Sequence, residues 1–98
     1  MDDQEVARAV AFFAACEDKA LLQEALRSIR PRAAAEMRRL EERGFDPPAP
    51  ATLPPADAAA GRDEAMATLK AVRDFAHLQS IARAAGRQYE ALSTAGQA

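Results

Sequence analysis

The sequence predicts an all-α fold, a small bundle of three or four helices in one domain. Alanine, the strongest helix former, accounts for 26 of the 98 residues. Apolar side chains recur at steps of three and four over most of the chain, and the main Pro-rich stretch lies near its middle. We therefore divide the domain into a helical region over 1–44, a Pro/Ala-rich crossover over 45–61 and a C-terminal region over 62–98.

The first helix is predicted to begin after its cap, Asp2 or Asp3, and to run to about Cys16 through the apolar segment Val6–Cys16. A helix that is apolar around most of its circumference is usually buried on all sides or shared with a partner. At about 16 Å the run is too short to cross a bilayer, so we expect no membrane span. Phe12 and Phe13, adjacent within it, are predicted to belong to a partner-binding surface.

The next segment contains two boundary signals and one proline. Asp18 can cap a second helix, and the pattern leaves open whether residues 4–30 form one helix or two. Pro31 predicts a boundary, because proline removes a backbone donor and disfavours helical geometry in the residue before it. The helix that follows is expected to end at Arg43, with Gly44 as its left-handed terminating residue.

Five of the six prolines fall between residues 45 and 61, which we interpret as a semi-rigid linker. After it, one long helix is predicted over about 62–92, followed by a frayed tail to residue 98. From Val72 onward the apolar positions repeat every seven residues, a pattern typical of helices that cross at shallow angles in bundles.

Small residues on this long helix mark a second candidate surface. Ala82, Ala85 and Gly86 would let another backbone approach closely. Gly86 could instead end the helix, since glycine costs about 1 kcal/mol relative to alanine in a helix interior. We assign Ala82, Gly86 and Tyr89 to the partner-binding surface.

Arginines are concentrated between residues 27 and 43, although the chain carries a net charge of −2. The favoured interpretation is a solvated helix face with intrahelical ion pairs. The alternative is an anion-binding surface for an acidic protein or for nucleic acid, formed by Arg27, Arg30, Arg38 and Arg39. The acidic overall charge opposes attraction to nucleic acid, and we expect none.

No residue pattern predicts catalysis, a cofactor or a metal site. Catalytic Ser-His-Asp sets, Gly-rich phosphate loops and Cys-x-x-Cys motifs are all absent. His77 follows Asp74 at a spacing found in carboxylate-bridged metal sites, but such sites draw several more ligands from facing helices. We predict a solvated His77 and a buried, unreactive Cys16. The acidic start of the chain is unlike a signal peptide and predicts a cytoplasmic protein.

One family resemblance rests on the segment Phe12-Phe13-Ala14-Ala15, then Leu26-Arg27, Pro31-Arg32 and Leu40. This order slightly resembles the short delta subunits of formate dehydrogenases, which have a paired-Phe segment followed by a Pro-Arg-Met-Arg stretch. The tryptophan expected before the proline is missing here, the spacing is shorter, and residues 46–98 have no counterpart. No residue role is therefore carried over, and the resemblance implies only the class of small accessory subunits.

These observations lead us to expect a protein–protein interaction module, either an accessory subunit or a homo-oligomer. Only 17 residues are Leu, Ile, Val or Phe. A chain of this size buries a modest fraction of its surface, so a partner would supply cover that the chain itself lacks. The alternative function is the arginine-lined binding of an anionic ligand or nucleic acid.

Overall fold

Four α-helices surround a single apolar core in a computed structural model that describes residues 2–96. Helix α1 spans Asp3–Ala15, α2 Lys19–Glu42, α3 Arg62–Ala71 and α4 Phe75–Ala95. Helix α4 packs against both α1 and α2, and α3 packs mainly against α1. The prediction of an all-α bundle is confirmed.

Aspartates begin three of the four helices, each by accepting a backbone N–H of the first turn with its carboxylate. Such caps satisfy donors that have no partner within the helix. The cap at Asp18 shows that residues 4–30 belong to two helices, which decides the alternative left open above. The capped pairs are Asp2 with Glu5 at 2.8 Å, Asp18 with Leu21 at 3.2 Å, and Asp74 with Ala76 at 2.8 Å.

Helix α2 ends at the predicted glycine. Gly44 has a φ of +74°, its N–H donates to Glu41 O, and the N–H of Phe45 donates to Leu40 O. This pair of bonds is the Schellman motif, in which a left-handed residue lets the chain satisfy the last carbonyls of a helix. Phe45 is 61% exposed, so the turn that precedes it buries little of its apolar surface.

The boundary predicted at Pro31 is wrong, because α2 continues through this residue. A proline inside a helix removes one hydrogen bond and crowds a carbonyl one turn earlier, at a cost of about 3 kcal/mol. Tertiary contacts on both sides offset this cost. Ile29 is buried just before the proline, and the Arg32 side chain just after it binds two carbonyls near the end of α3. Pro31 itself is exposed, so water can reach the displaced carbonyl.

The single long helix predicted over 62–92 is also wrong, since residues 72–74 separate α3 from α4. Val72 has extended geometry and is buried at 1% exposure, and Asp74 caps α4. The seven-residue repeat that was noted from Val72 onward therefore belongs to α4, which begins three residues later at Phe75. The N-cap of α3 is Gly61, which makes no side-chain bond. At the other end α4 includes Ser93–Ala95, which were predicted to fray, while residues 97 and 98 lie outside the described residues.

The Pro/Ala-rich crossover lies against the helices and is hydrogen-bonded to them. The N–H of Ala51 donates to Ala76 O at 3.1 Å, and the N–H of Ala60 donates to Arg8 O at 3.0 Å. Leu53 packs against the core cluster, and Ala60 is buried. The crossover therefore covers parts of α1 and α4 in addition to connecting α2 with α3.

Helices α2 and α4 run antiparallel. Tyr89 near the end of α4 meets Gln23 near the start of α2, while Phe75 at the start of α4 lines a groove with Met37 near the end of α2. The residues of α2 that are buried all lie between Leu21 and Ile29. Arg32 and Ala33 still contact α3 and the core cluster, and from about residue 34 the helix extends beyond that cluster for roughly 13 Å.

Replacing Pro31 with Ala should stabilise the protein by about 2 kcal/mol. In a helix interior alanine is more favourable than proline by about 3 kcal/mol. Up to about 1 kcal/mol of this gain is lost, because proline also restricts the unfolded chain and alanine does not. Urea unfolding followed by circular dichroism would measure the change. Pro48→Ala, in the exposed and non-helical crossover, is the matched control and should shift stability by less than about 0.5 kcal/mol. A loss of stability in Pro31→Ala would contradict a helix that is continuous through residue 31.

Candidate binding surfaces

The two phenylalanines predicted at a partner surface have different surroundings. Phe13 is fully buried in the core, where α1 meets the other helices. Phe12 is half-buried and packs against the core cluster, with its ring edge-on to Phe13 at 5.2 Å between centroids. In this fold Phe13 is covered by the chain itself and offers nothing to a partner.

The other three predicted partner residues lie along α4 at spacings of four and three, so they share one face of the helix. The hydroxyl of Tyr89 accepts a hydrogen bond from Gln23 at 3.1 Å, and Lys19 lies 5.1 Å from its ring centre. Both contacts tie α4 to α2. A methyl group added at Gly86 would meet no heavy atom within 4 Å, so no neighbouring backbone requires glycine there. Ala82 lines a groove at the opposite end of this face.

This groove between α2 and α4 has a volume of about 170 Å³ and is almost entirely apolar. Met37, at the end of this groove, and Leu40 lie one turn apart on the same face of α2 and are only partly covered. Phe45 follows and is the large apolar side chain most exposed within residues 2–96. We name Met37, Leu40 and Phe45 the α2 arm. The groove is lined by Ile29, Ala33, Met37, Phe75, Leu78, Gln79 and Ala82.

The four arginines of the alternative anion site are not gathered into a pocket of the described residues. Arg27, Arg30 and Arg38 are exposed along the side of α2 that faces away from the core. Arg39 is exposed too and pairs with Glu36 at 3.1 Å, the kind of intrahelical pair that the favoured interpretation expected.

Arg32, in contrast, has a defined structural contact that sequence reasoning missed. Its guanidinium donates to Leu69 O at 2.7 Å and to Val72 O. These carbonyls lie at the C-terminal end of α3 and accept no hydrogen bond from within the helix. The Arg32 guanidinium therefore supplies their missing donors, and its positive charge interacts favourably with the negative end of the helix dipole. The tertiary contact could not be read from a sequence that predicted no helix end at residue 71.

A larger groove lies between α1, α4 and the crossover, with a volume of about 580 Å³. Val10, Ala14 and Leu53 contribute to its apolar walls, and Arg83 and Arg87 lie on α4 at its edge. This volume falls within the range of small-molecule sites, which are concave and mostly apolar with few polar groups. No sequence signal marked it, because its three walls come from separate parts of the chain.

His77 and Cys16 have structural contacts. His77 Nε2 lies 3.0 Å from Asp3 Oδ1, and its side chain is 15% exposed, so it is not the solvated residue that was predicted. It joins the start of α4 to the start of α1, while Asp74 serves as a helix cap. Cys16 is buried, as expected, with Sγ 3.6 Å from Asp18 O. Within residues 2–96 no cluster of three or more His, Cys, Asp or Glu side chains could hold a metal ion.

Comparisons with family models, with curated proteins and with solved structures find no match to this chain. The resemblance to the delta subunits of formate dehydrogenases gains no support from them. Among the described residues, no helix is both long and apolar enough to cross a membrane.

Replacing Arg32 with Met should destabilise the protein by about 2 kcal/mol. The apolar stem is kept, but two partly buried carbonyls lose their donor. Chemical unfolding would measure this loss. Arg30→Met removes an exposed arginine from the same helix and should cost less than about 0.5 kcal/mol. Equal effects of the two substitutions would show that the contact with α3 contributes nothing to stability.

Proposed function

We propose that this chain is a small cytoplasmic protein-interaction module, working as an accessory subunit of a larger complex or as a homo-oligomer. The observation that carries the proposal is the apolar surface formed by the α2 arm and the groove beside it. The side chains of the arm lie outside the core cluster; Met37 and Leu40 are only partly buried, and Phe45 is exposed.

The chemistry of the arm suits a protein partner. Met37 is flexible and adapts to irregular surfaces, and Phe45 offers a large apolar area at small entropic cost. Aromatic residues and methionine are enriched at the centres of protein interfaces, where they fill pockets of the partner. A half-buried stripe that ends in an exposed aromatic ring is the arrangement by which one helix docks against another.

The surface also includes part of what the sequence predicted. Ala82 lines the groove, and its small side chain leaves room for an entering group between α2 and α4. The proposed interface lies on α2 and α4 and does not include Phe12 or Phe13, which belong to α1.

Light scattering and site-specific cross-linking would test this function. We expect the purified chain either to be a defined oligomer or to yield a discrete cross-linked product in cells when a photoreactive phenylalanine replaces Phe45. The same group at Glu42, one turn away and exposed, is the matched control and should give little product.

Leu40→Lys places a charge within the arm and should abolish the oligomer or the cross-linked product. Circular dichroism should show an unchanged helix content, because Leu40 lies outside the core cluster. A chain that stays monomeric and gives the same products from positions 42 and 45 would overturn the proposal.

A further inference from the structure

The groove between α1, α4 and the crossover has fixed walls. The N–H of Ala51 donates to Ala76 O, and the hydroxyl of Ser80 donates to Ala51 O at 3.0 Å, so the crossover is held against α4. On the α4 side, the amide of Gln88 donates to Cys16 O at 2.7 Å and ties α4 to the end of α1. A groove whose walls are bonded to one another exists before any ligand enters, which lowers the entropic cost of binding.

The polar groups of the groove select the charge of an occupant. Ser80 and Gln88 already use their side chains within the protein. The charged groups that line the groove are the guanidinium groups of Arg83 and Arg87. Neither forms an ion pair with a carboxylate of residues 2–96, although Glu90 follows Arg87 by three residues. Like charges one helical turn apart repel each other, and an anion between them would relieve this repulsion.

The dimensions of the groove favour a slender occupant. Its lining along α4 runs from Ser80 to Ala91, about 16 Å. Alanines and Leu53 provide aliphatic walls and no aromatic ring lines the groove, so a flat ligand could stack only on the guanidinium planes of Arg83 and Arg87.

We propose that this groove binds a straight-chain anionic amphiphile, with the aliphatic chain lying along Val10, Ala84 and Leu53 and the anionic head held by Arg83 and Arg87. Burial of the chain supplies the apolar part of the affinity. Two guanidinium groups supply charge-assisted hydrogen bonds to a carboxylate, phosphate or sulfate, and these are stronger than bonds between neutral groups. This site does not share its residues with the α2 arm and is independent of the proposed protein interaction.

Calorimetric titration of the whole chain with dodecanoate, below the concentration at which it forms micelles, would test the site. We expect saturable binding of one molecule per chain. Dodecyltrimethylammonium, with the same aliphatic chain and a positive head, should bind at least about tenfold more weakly, because each lost charge-assisted bond is worth about one decade. Dodecyl phosphate should bind like dodecanoate if the site reads negative charge and not the carboxylate geometry.

Two double substitutions test separately the contacts of the ligand's anionic head and those of its aliphatic chain. Arg83→Gln with Arg87→Gln should weaken dodecanoate binding by about tenfold or more, whereas Arg38→Gln with Arg39→Gln, an equally exposed pair on α2, should leave it unchanged. Ala14→Leu with Ala91→Leu fills the groove from two exposed positions and should abolish binding while the charge is kept. Circular dichroism would confirm that both variants are folded.

Several results would overturn the proposal. Equal affinity for the cationic and anionic amphiphiles, or unchanged affinity after loss of Arg83 and Arg87, would show unspecific apolar association. Dodecanoate binding that survives Ala14→Leu with Ala91→Leu would place the ligand elsewhere. An acidic amphipathic peptide that binds the groove more tightly than any amphiphile would assign it to a protein partner instead.

Discussion

The structure depends on covering α1. This helix carries Val6, Ala9 and Phe13 into the core and is apolar on much of its remaining surface, so it needs neighbours on several sides. Helices α3 and α4 provide two of them, and the crossover provides a third through Ala60, whose N–H binds a carbonyl of α1. A chain with 17 Leu, Ile, Val and Phe residues has few large apolar side chains left to cover other segments. The second half of α2 accordingly has no buried residue, and this leaves the α2 arm only partly covered.

Local signals in the sequence predicted the elements whose geometry is decided locally. Asp18 caps a helix because its carboxylate reaches a nearby N–H, and Gly44 ends one because a left-handed residue costs glycine little. The same local signals gave two wrong predictions, a helix boundary at Pro31 and a continuous helix through residues 72–74, and the two errors have opposite causes. At Pro31 a strong local signal was overridden by contacts with α3, and at Val72 a break occurred without a proline or glycine to mark it. Both outcomes depend on residues about forty positions away, which periodicity cannot show.

The candidate sites were less predictable than the fold, because each is assembled across elements. An arginine cluster in sequence became a row of exposed side chains on a helix, since residues in succession point in different directions. The arginine with a defined contact, Arg32, acquired it only through the position of α3. Likewise Phe13 was assigned to a surface because its run was apolar, and apolar runs cannot tell a core from an interface. Ala82, predicted to bind a partner, lines a groove that the sequence did not predict, because the other wall of the groove comes from α2.

The position of α4 explains how one small chain can carry two separate surfaces. One face of α4 packs on α2 and another on α1, and each seam leaves a concavity because alanines occupy positions where larger side chains would close it. The concavity beside α2 is apolar and adjoins an exposed aromatic ring, so it favours another protein. The concavity beside α1 is bounded by the bonded crossover and by Arg83 and Arg87, which form no ion pair within residues 2–96, and this is why we propose an anion with an apolar chain for it. Since the two lie on different faces of one rigid helix, occupancy of one site need not obstruct the other. Binding at one site would affect the other only by shifting α4 against its neighbours. Tyr89 and Gln88 oppose such a shift, because their hydrogen bonds fix α4 against α2 and the end of α1.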